Sequence, residues 1–162
     1  MIRPYEETDR EALLDIVVRC FDERSSIARR VDDATEGRAA RDWTWRKRRE
    51  IERDIANNAN GVFVAEEEGR PVGFITTRED QDTRIGLIAN LAVLRDHRDK
   101  GLGRSLIDAS LAYLRRQGMT QVKIETLESN PVGQHLYVSC GFKEVARQIH
   151  YVMNIDPDTS DG

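Results

Sequence analysis

The stretch Arg98-Asp99-Lys100-Gly101-Leu102-Gly103-Arg104-Ser105 decides how the rest of the chain is read. An apolar run, Ile85 to Val93, precedes it, and a helix-patterned run, Leu102 to Gln117, follows. Two glycines separated by one residue at a helix entrance let backbone N–H groups converge on one concavity. The positive end of the helix dipole adds to the field there, so the loop suits an anion. The local charge agrees. Arg95, Arg98, Lys100 and Arg104 outweigh Asp96 and Asp99, in a chain whose net charge is −4. A phosphate-bearing cofactor is the expected ligand, with donors from the amides of Lys100 to Ser105.

Two better-known phosphate loops fit poorly. A P-loop requires Gly-Lys-Ser/Thr after its glycines, whereas Gly103 is followed by Arg104-Ser105. A dinucleotide fingerprint needs a third glycine where Leu106 stands, close behind a strand; Glu125 lies roughly where its ribose-binding acid would fall, so this reading is weakened rather than removed.

Around this centre, 162 residues suffice for one domain with a real core. A hydrophobic content of 39% with 33% charged residues describes a soluble globular chain, and the acidic balance argues against general nucleic-acid binding. Met1-Ile2-Arg3-Pro4-Tyr5 begins no apolar leader and no run approaches membrane-spanning length, so a cytoplasmic location is expected. Cys20 and Cys140 suggest buried thiols rather than a disulfide framework, and His97, His135 and His150 share no metal-ligand spacing. No serine or cysteine nucleophile constellation stands out, so the expected chemistry needs no covalent enzyme intermediate and no metal.

Ile2 to Pro4 is a candidate first strand, and Thr8-Asp9-Arg10-Glu11 has the form of a capping box opening a helix to about Asp22. Residues 23–36 give weak signals. A second helix is expected from about Gly37 to Asn58, with Ile51 and Ile55 inward. Its basic run Arg46-Lys47-Arg48-Arg49 reads as a solvated face, since Arg46–Glu50 and Arg48–Glu52 are (i, i+4) pairs. Gly61–Glu67 and Pro71–Arg78 form a hairpin pattern, followed by a strand over Arg84–Val93. The helix from Leu102 carries a broad apolar stripe and stops at Gly118, and Val122 to Leu127 supplies the next strand. Strand, helix and strand imply a right-handed parallel unit. Asn130-Pro131 opens a short helix that Gly141 ends. Beyond it Val145, Ile149, Tyr151, Met153 and Ile155 share alternate positions, interrupted by Arg147, which predicts one long closing strand.

Leu91-Ala92-Val93, Arg98-x-x-Gly101-x-Gly103, Asn130, Leu136-Tyr137 and Gly141-Phe142, in this order and spacing, resemble the GNAT superfamily of N-acetyltransferases. The resemblance is strongest over residues 85–142. It implies an α/β fold, one domain over 1–156, with a mixed, mostly antiparallel sheet, a central parallel strand pair and helices on both faces. Residues 157–162 would form a loose polar tail. It also implies transfer of an acetyl group from acetyl-CoA to a primary amine, of a small molecule or a peptide, by direct attack in a ternary complex. Acetyl-CoA and the amine are the implied partners, with no nucleic acid, membrane or metal, and with room for a homodimer.

By the same resemblance, the pantetheine arm lies along the backbone edge of Leu91, Ala92 and Val93, where the family's strand is bulged. Arg98, Lys100, Gly101, Leu102, Gly103, Arg104 and Ser105 surround the diphosphate. Tyr137 matches the tyrosine that protonates the departing thiolate; as a bare residue it is equally a packing aromatic. Asn130 matches a position that contacts CoA, and is also explained as a helix N-cap. Asn90 stands where family members often carry a glutamate. An amide is no base, so Asn90 is assigned to orienting the acceptor or a water, leaving proton removal to Glu125, another carboxylate or bulk water. The alternative to an enzyme is a CoA-binding module without transfer activity.

Overall fold

The computed structural model describes residues 1–22 and 24–156; the tail expected at 157–162 lies outside the described residues. Five strands form one sheet in chain order: β1 (Ile2–Pro4), β2 (Phe63–Glu67), β3 (Arg70–Asp80), β4 (Ile85–Val93) and β5 (Gln121–Ile124). The first three pairings are antiparallel and β4–β5 is parallel, so the parallel pair stands at the end of the sheet. The helices are α1 (Arg10–Cys20), α2 (Ile27–Ala34), α3 (Trp43–Asn58), α4 (Leu102–Arg116) and α5 (Pro131–Ser139).

Alternation along the strands builds two cores. On one face Val64, Phe74 and Ala92 meet Leu13 and Val17 of α1 and Ile51 and Ile55 of α3. On the other, Ala65, Ile75 and Ile88 meet Leu106, Ile107 and Leu114 of α4. Helices therefore cover both faces, as the expected fold requires.

A bulge on β4 separates these faces locally. Thr76 pairs with Asn90 and Thr77 with Ile88, which leaves Ala89 without an opposite residue. The extra residue reverses the alternation, so Ile88 joins the α4 core while Asn90 turns toward α3. Pairing of β4 with β5 ends at Ile88–Ile124. From Ala89 to Val93, β4 has an edge with no strand beside it.

Several local expectations are corrected. The capping box at Thr8–Glu11 does not form; the Asp9 carboxylate instead accepts from the Glu6 N–H at 2.9 Å and from both terminal nitrogens of Arg3, and α1 starts after a single 3-10 turn. The weak region contains α2, capped by Ser26, whose hydroxyl accepts from the Arg29 N–H. Gly37 is left-handed (φ 67°), so a helix cannot run through from that point, and α3 begins after Asp42, which caps the Trp45 N–H at 2.9 Å. The basic run keeps a solvated side at Arg48 and Arg49, but its partners are not the (i, i+4) ones. Arg46 bonds Asp32 of α2, Arg48 bonds Asp15 of α1, and Glu52 is taken by Arg10, because neighbouring helices present carboxylates closer than the next turn does. β5 stops at Ile124, short of Leu127, and the closing strand over 145–155 is absent: residues 143–156 carry no regular structure.

Candidate active site

The candidate site is built around the place where β4 and β5 part, after the Ile88–Ile124 pair. Beyond the bulge, the backbone of Leu91–Val93 lies along the free edge, and a short 3-10 turn (Arg95–His97) carries the chain to the glycine loop. Asp99 (φ 62°) and Gly101 (φ 78°) are both left-handed. That curl aims the start of α4 back toward the splay, and at Gly101 a residue without Cβ adopts it freely. No side chain caps α4. The amides of Leu102, Gly103 and Arg104 therefore have no helical acceptor and point out of the helix start. The Ser105 N–H does not belong with them, since it bonds the Gly101 carbonyl at 3.0 Å as the helix's first internal donor. Gly103 has its own constraint: a Cβ there would sit 3.1 Å from Cδ2 of Leu136, so α4 and α5 approach closely.

The three predicted cations surround this point and each has a protein partner. Arg98 donates to the Val93 carbonyl at 2.8 Å, across the end of the free edge. Lys100 reaches Glu67 at 3.1 Å, and the Glu67 carboxyl, bonded first by His97 and then by Lys100, is held below its usual range. Arg104 donates to the Ser139 hydroxyl at 2.8 Å and so ties the start of α4 to the end of α5.

Asn130 caps α5: its carbonyl oxygen accepts from the Gly133 N–H at 3.2 Å and its amide donates to Thr126 at 3.0 Å. One and two turns on come Gly133 and Tyr137. A Cβ at Gly133 would lie 3.3 Å from the Tyr137 hydroxyl, so the missing side chain leaves room for the phenol. Tyr137 is half-buried, edge-on to Phe142 with ring centroids 6.4 Å apart. Burial pushes its hydroxyl up to about 12, which keeps the group protonated at neutral pH.

Asn90 belongs to a second cluster, on the α3 face. It is 2% exposed and its amide is saturated: the oxygen accepts from Lys47 at 2.7 Å, and the nitrogen donates to Glu50 at 3.1 Å and Asp54 at 3.0 Å. Asp54, also 2% exposed, further accepts from Thr76 at 2.8 Å and from Arg78 at 2.7 Å. Glu125 is exposed one residue past β5. The hydrogen bond with Asp54, followed by the charges of Asp54, Glu50 and lastly Glu125, holds the Arg78 guanidinium above its usual value. A cleft of about 350 Å³ lined by Arg46, Glu50, Asp54 and Arg78 opens beside this network.

The structure thus gathers Leu91–Val93, Arg98, Gly101–Arg104 and the Arg104-bound α5 into one unit, and holds Asn90 in another. Lys47, Glu50, Asp54 and Arg78 were not singled out from the sequence. Their signal was the row Lys47–Glu50–Asp54, which flanks the apolar Ile51–Ile55 row and is therefore carried to the sheet.

An open helix N-terminus beside a free strand edge accepts a phosphate at one place and an extended amide-bearing chain at the next. A match to the acetyltransferase (GNAT) family model spans residues 11–142, which covers all of these elements. The chain belongs to the GNAT acetyltransferase family. It is 38% identical over 96 residues to the mycothiol acetyltransferase of Thermobispora bispora, covering 56% of this chain and 32% of that protein. It is 30% identical over 95 residues to N-alpha-acetyltransferase 30 of Schizosaccharomyces pombe, covering 57% of this chain and 63% of that one. The chain thus spans between a third and two thirds of these relatives' lengths. Among solved structures, PaiA N-acetyltransferase from Thermoplasma acidophilum in complex with coenzyme A superposes with a TM-score of 0.69 at 16% identity, over 88% of this chain and 89% of that one, a likeness of fold. Among the described residues no helix is long and apolar enough to cross a membrane.

Proposed function

We propose that this GNAT domain, spanning residues 1–156, is a cytoplasmic acetyl-CoA-dependent N-acetyltransferase that acts on a primary amine by direct attack in a ternary complex. The observation that carries the reading is the uncapped start of α4 behind left-handed Gly101, set beside the unpaired edge of bulged β4. Acetyl-CoA supplies a thioester as the acyl donor. The amides of Leu102, Gly103 and Arg104 bind the diphosphate, and Arg98, Lys100 and Arg104 add positive charge on release from Val93, Glu67 and Ser139. The Ser105 hydroxyl, exposed on the first turn, is the part of that residue left to contribute. Leu91, Ala92 and Val93 offer backbone groups to the pantetheine amides. Asn130 holds the start of α5 in place and lies on the cofactor side of it.

Tyr137 keeps its proton at neutral pH and gives it to the leaving sulfur as the amine nitrogen bonds the acetyl carbon. The acceptor ammonium must lose a proton before attack. Glu125, exposed at the mouth of the splay, is the nearest candidate on β5's side, and bulk water serves where the amine's own pKa is low. Asn90 acts through its neighbours: it holds Glu50 and Asp54 in the lining of the α3-face cleft, where the acceptor would be oriented.

The amide at position 90, in place of the glutamate often found there, is the observation favouring the second reading, a CoA-binding module without transfer activity. One experiment separates them: acetyl-CoA with a panel of small amines, peptides with free N-termini and lysine peptides, followed by thiol release and product mass. Thiol release matched by a product 42 Da heavier supports transfer, an order-of-magnitude excess over the buffer rate being about 1.4 kcal/mol of barrier. CoA binding with no product across the panel supports the module.

A further inference from the structure

Residues 143–156 leave α5 as an arm that belongs to no sheet. Along it Val145, Ile149, Tyr151, Met153 and Ile155 are 93%, 76%, 89%, 80% and 88% exposed. Of the intervening positions Ala146, Gln148, His150 and Asn154 are small or polar, and Val152 alone is a larger apolar residue, 46% exposed. Extended, this pattern has one apolar and one polar face. A row of large exposed apolar side chains, broken here only by Arg147, marks an interaction surface. Two polar contacts tether the arm without covering the row: Arg147 pairs with Glu128, and Arg38 donates to Asp156 at 3.4 Å.

The sheet has the complementary gap. Among the described residues β5 pairs with β4 alone, and its outer edge is open. At the same end of the α4 core Val122, Ile124, Leu136, Tyr137, Cys140 and Phe142 are only partly buried. An unpaired edge is a template for another strand. The chain therefore carries a strand pattern with no edge and an edge with no strand.

We propose that residues 145–155 pair with the β5 edge of a second copy, the two arms exchanging about a two-fold axis. Two-fold exchange satisfies both gaps at once, each arm covering the half-buried core end of its partner. Five large side chains from each of two copies remove on the order of 1,200–1,600 Å² from water, which lies in the range of stable interfaces. The arm begins at Phe142, edge-on to Tyr137, so the exchange also walls the β5 side of the site.

The test is the mass of the full chain by light scattering, joined to hydrogen exchange of its amides. A mass of about 37 kDa, twice the 18.5 kDa of one chain, is expected. Amides of 145–155 should exchange about tenfold or more slowly in the dimer than after dilution to monomer. Ile149→Glu with Tyr151→Glu should give a folded monomer by circular dichroism, while Gln148→Glu with His150→Glu, on the polar row, should remain dimeric. A monomeric wild-type chain, whether its arm amides are protected by folding back or not, overturns the inference. So does a dimer whose arm amides exchange freely, or a double-glutamate variant on the apolar row that stays dimeric.

Discussion

The two faces of β4 treat polar groups in opposite ways. Toward α3, Asn90, Asp54, Thr76 and Arg78 satisfy one another at 2.7–3.1 Å with Lys47 and Glu50, and Thr76, Asp54 and Asn90 are at most 2% exposed. Toward β5, the ladder stops after four pairs, the edge of Leu91–Val93 runs on alone, and α4 starts without a cap. On the proposed reading the open side binds the cofactor, while the matched side holds its own groups in fixed positions beside the acceptor cleft. A network whose donors and acceptors are matched internally costs stability when cut. Donors held rigidly with no partner are preorganised for one.

The largest effect expected on the open side is at Tyr137. Tyr137→Phe keeps the ring against Phe142 and removes only the acid, so turnover should fall about 10²–10⁴-fold, or roughly 3–5 kcal/mol, with CoA affinity little changed. Steady-state kinetics with calorimetry checks both halves. Full activity would leave Tyr137 with a packing role.

On the matched side the effect moves to stability. Asp54→Ala strands Arg78, Thr76 and Asn90 without their common acceptor, and should cost about 3 kcal/mol in urea unfolding. CoA affinity should stay within about threefold of wild type, or roughly 0.7 kcal/mol. A stable variant that had lost CoA binding would erase the distinction between the two faces.

Smaller effects are expected from the proton path. Burial holds the Tyr137 hydroxyl near 12, so its acid form persists through neutral and mildly alkaline pH and should impose no fall in rate there. The rate should instead rise with pH as the acceptor amine deprotonates, and the midpoint should move when an amine of different pKa is supplied. Glu125→Gln should lower turnover only a few-fold, about 1 kcal/mol. A midpoint that stays fixed across several amines and disappears in Glu125→Gln would make Glu125 the base.

Much of this was legible from the residues. The hairpin, β4, the apolar stripe of α4, the glycines at its entrance and the Asn130 cap follow from period, breakers and capping chemistry acting over a few residues. What escaped depends on partners distant in sequence. Arg46 and Arg48 read as (i, i+4) pairs because the carboxylates they bond, Asp32 and Asp15, belong to helices whose placement no local pattern records. The neighbours that hold Asn90 come from α3 and β3, and the bulge at Ala89 that turns it toward them leaves no mark in residue type. The arm after Phe142 makes the same point in reverse. Alternation tells which side chains could line a strand, but a strand also needs an edge, and among the described residues the arm pairs with none.

The most direct test of the open side is a calorimetric titration of CoA into the wild-type chain, Gly101→Glu and Gly103→Glu, each verified as folded. A carboxylate placed at either position sets bulk and negative charge against the amides of Leu102–Arg104, at Gly101 on a φ of 78° and at Gly103 only 3.1 Å from Leu136. Binding to the wild type with a loss of about 100-fold or more in both variants, roughly 2.7 kcal/mol, is the expected result. Unchanged CoA affinity in both folded variants would contradict the assignment of this loop as the cofactor site.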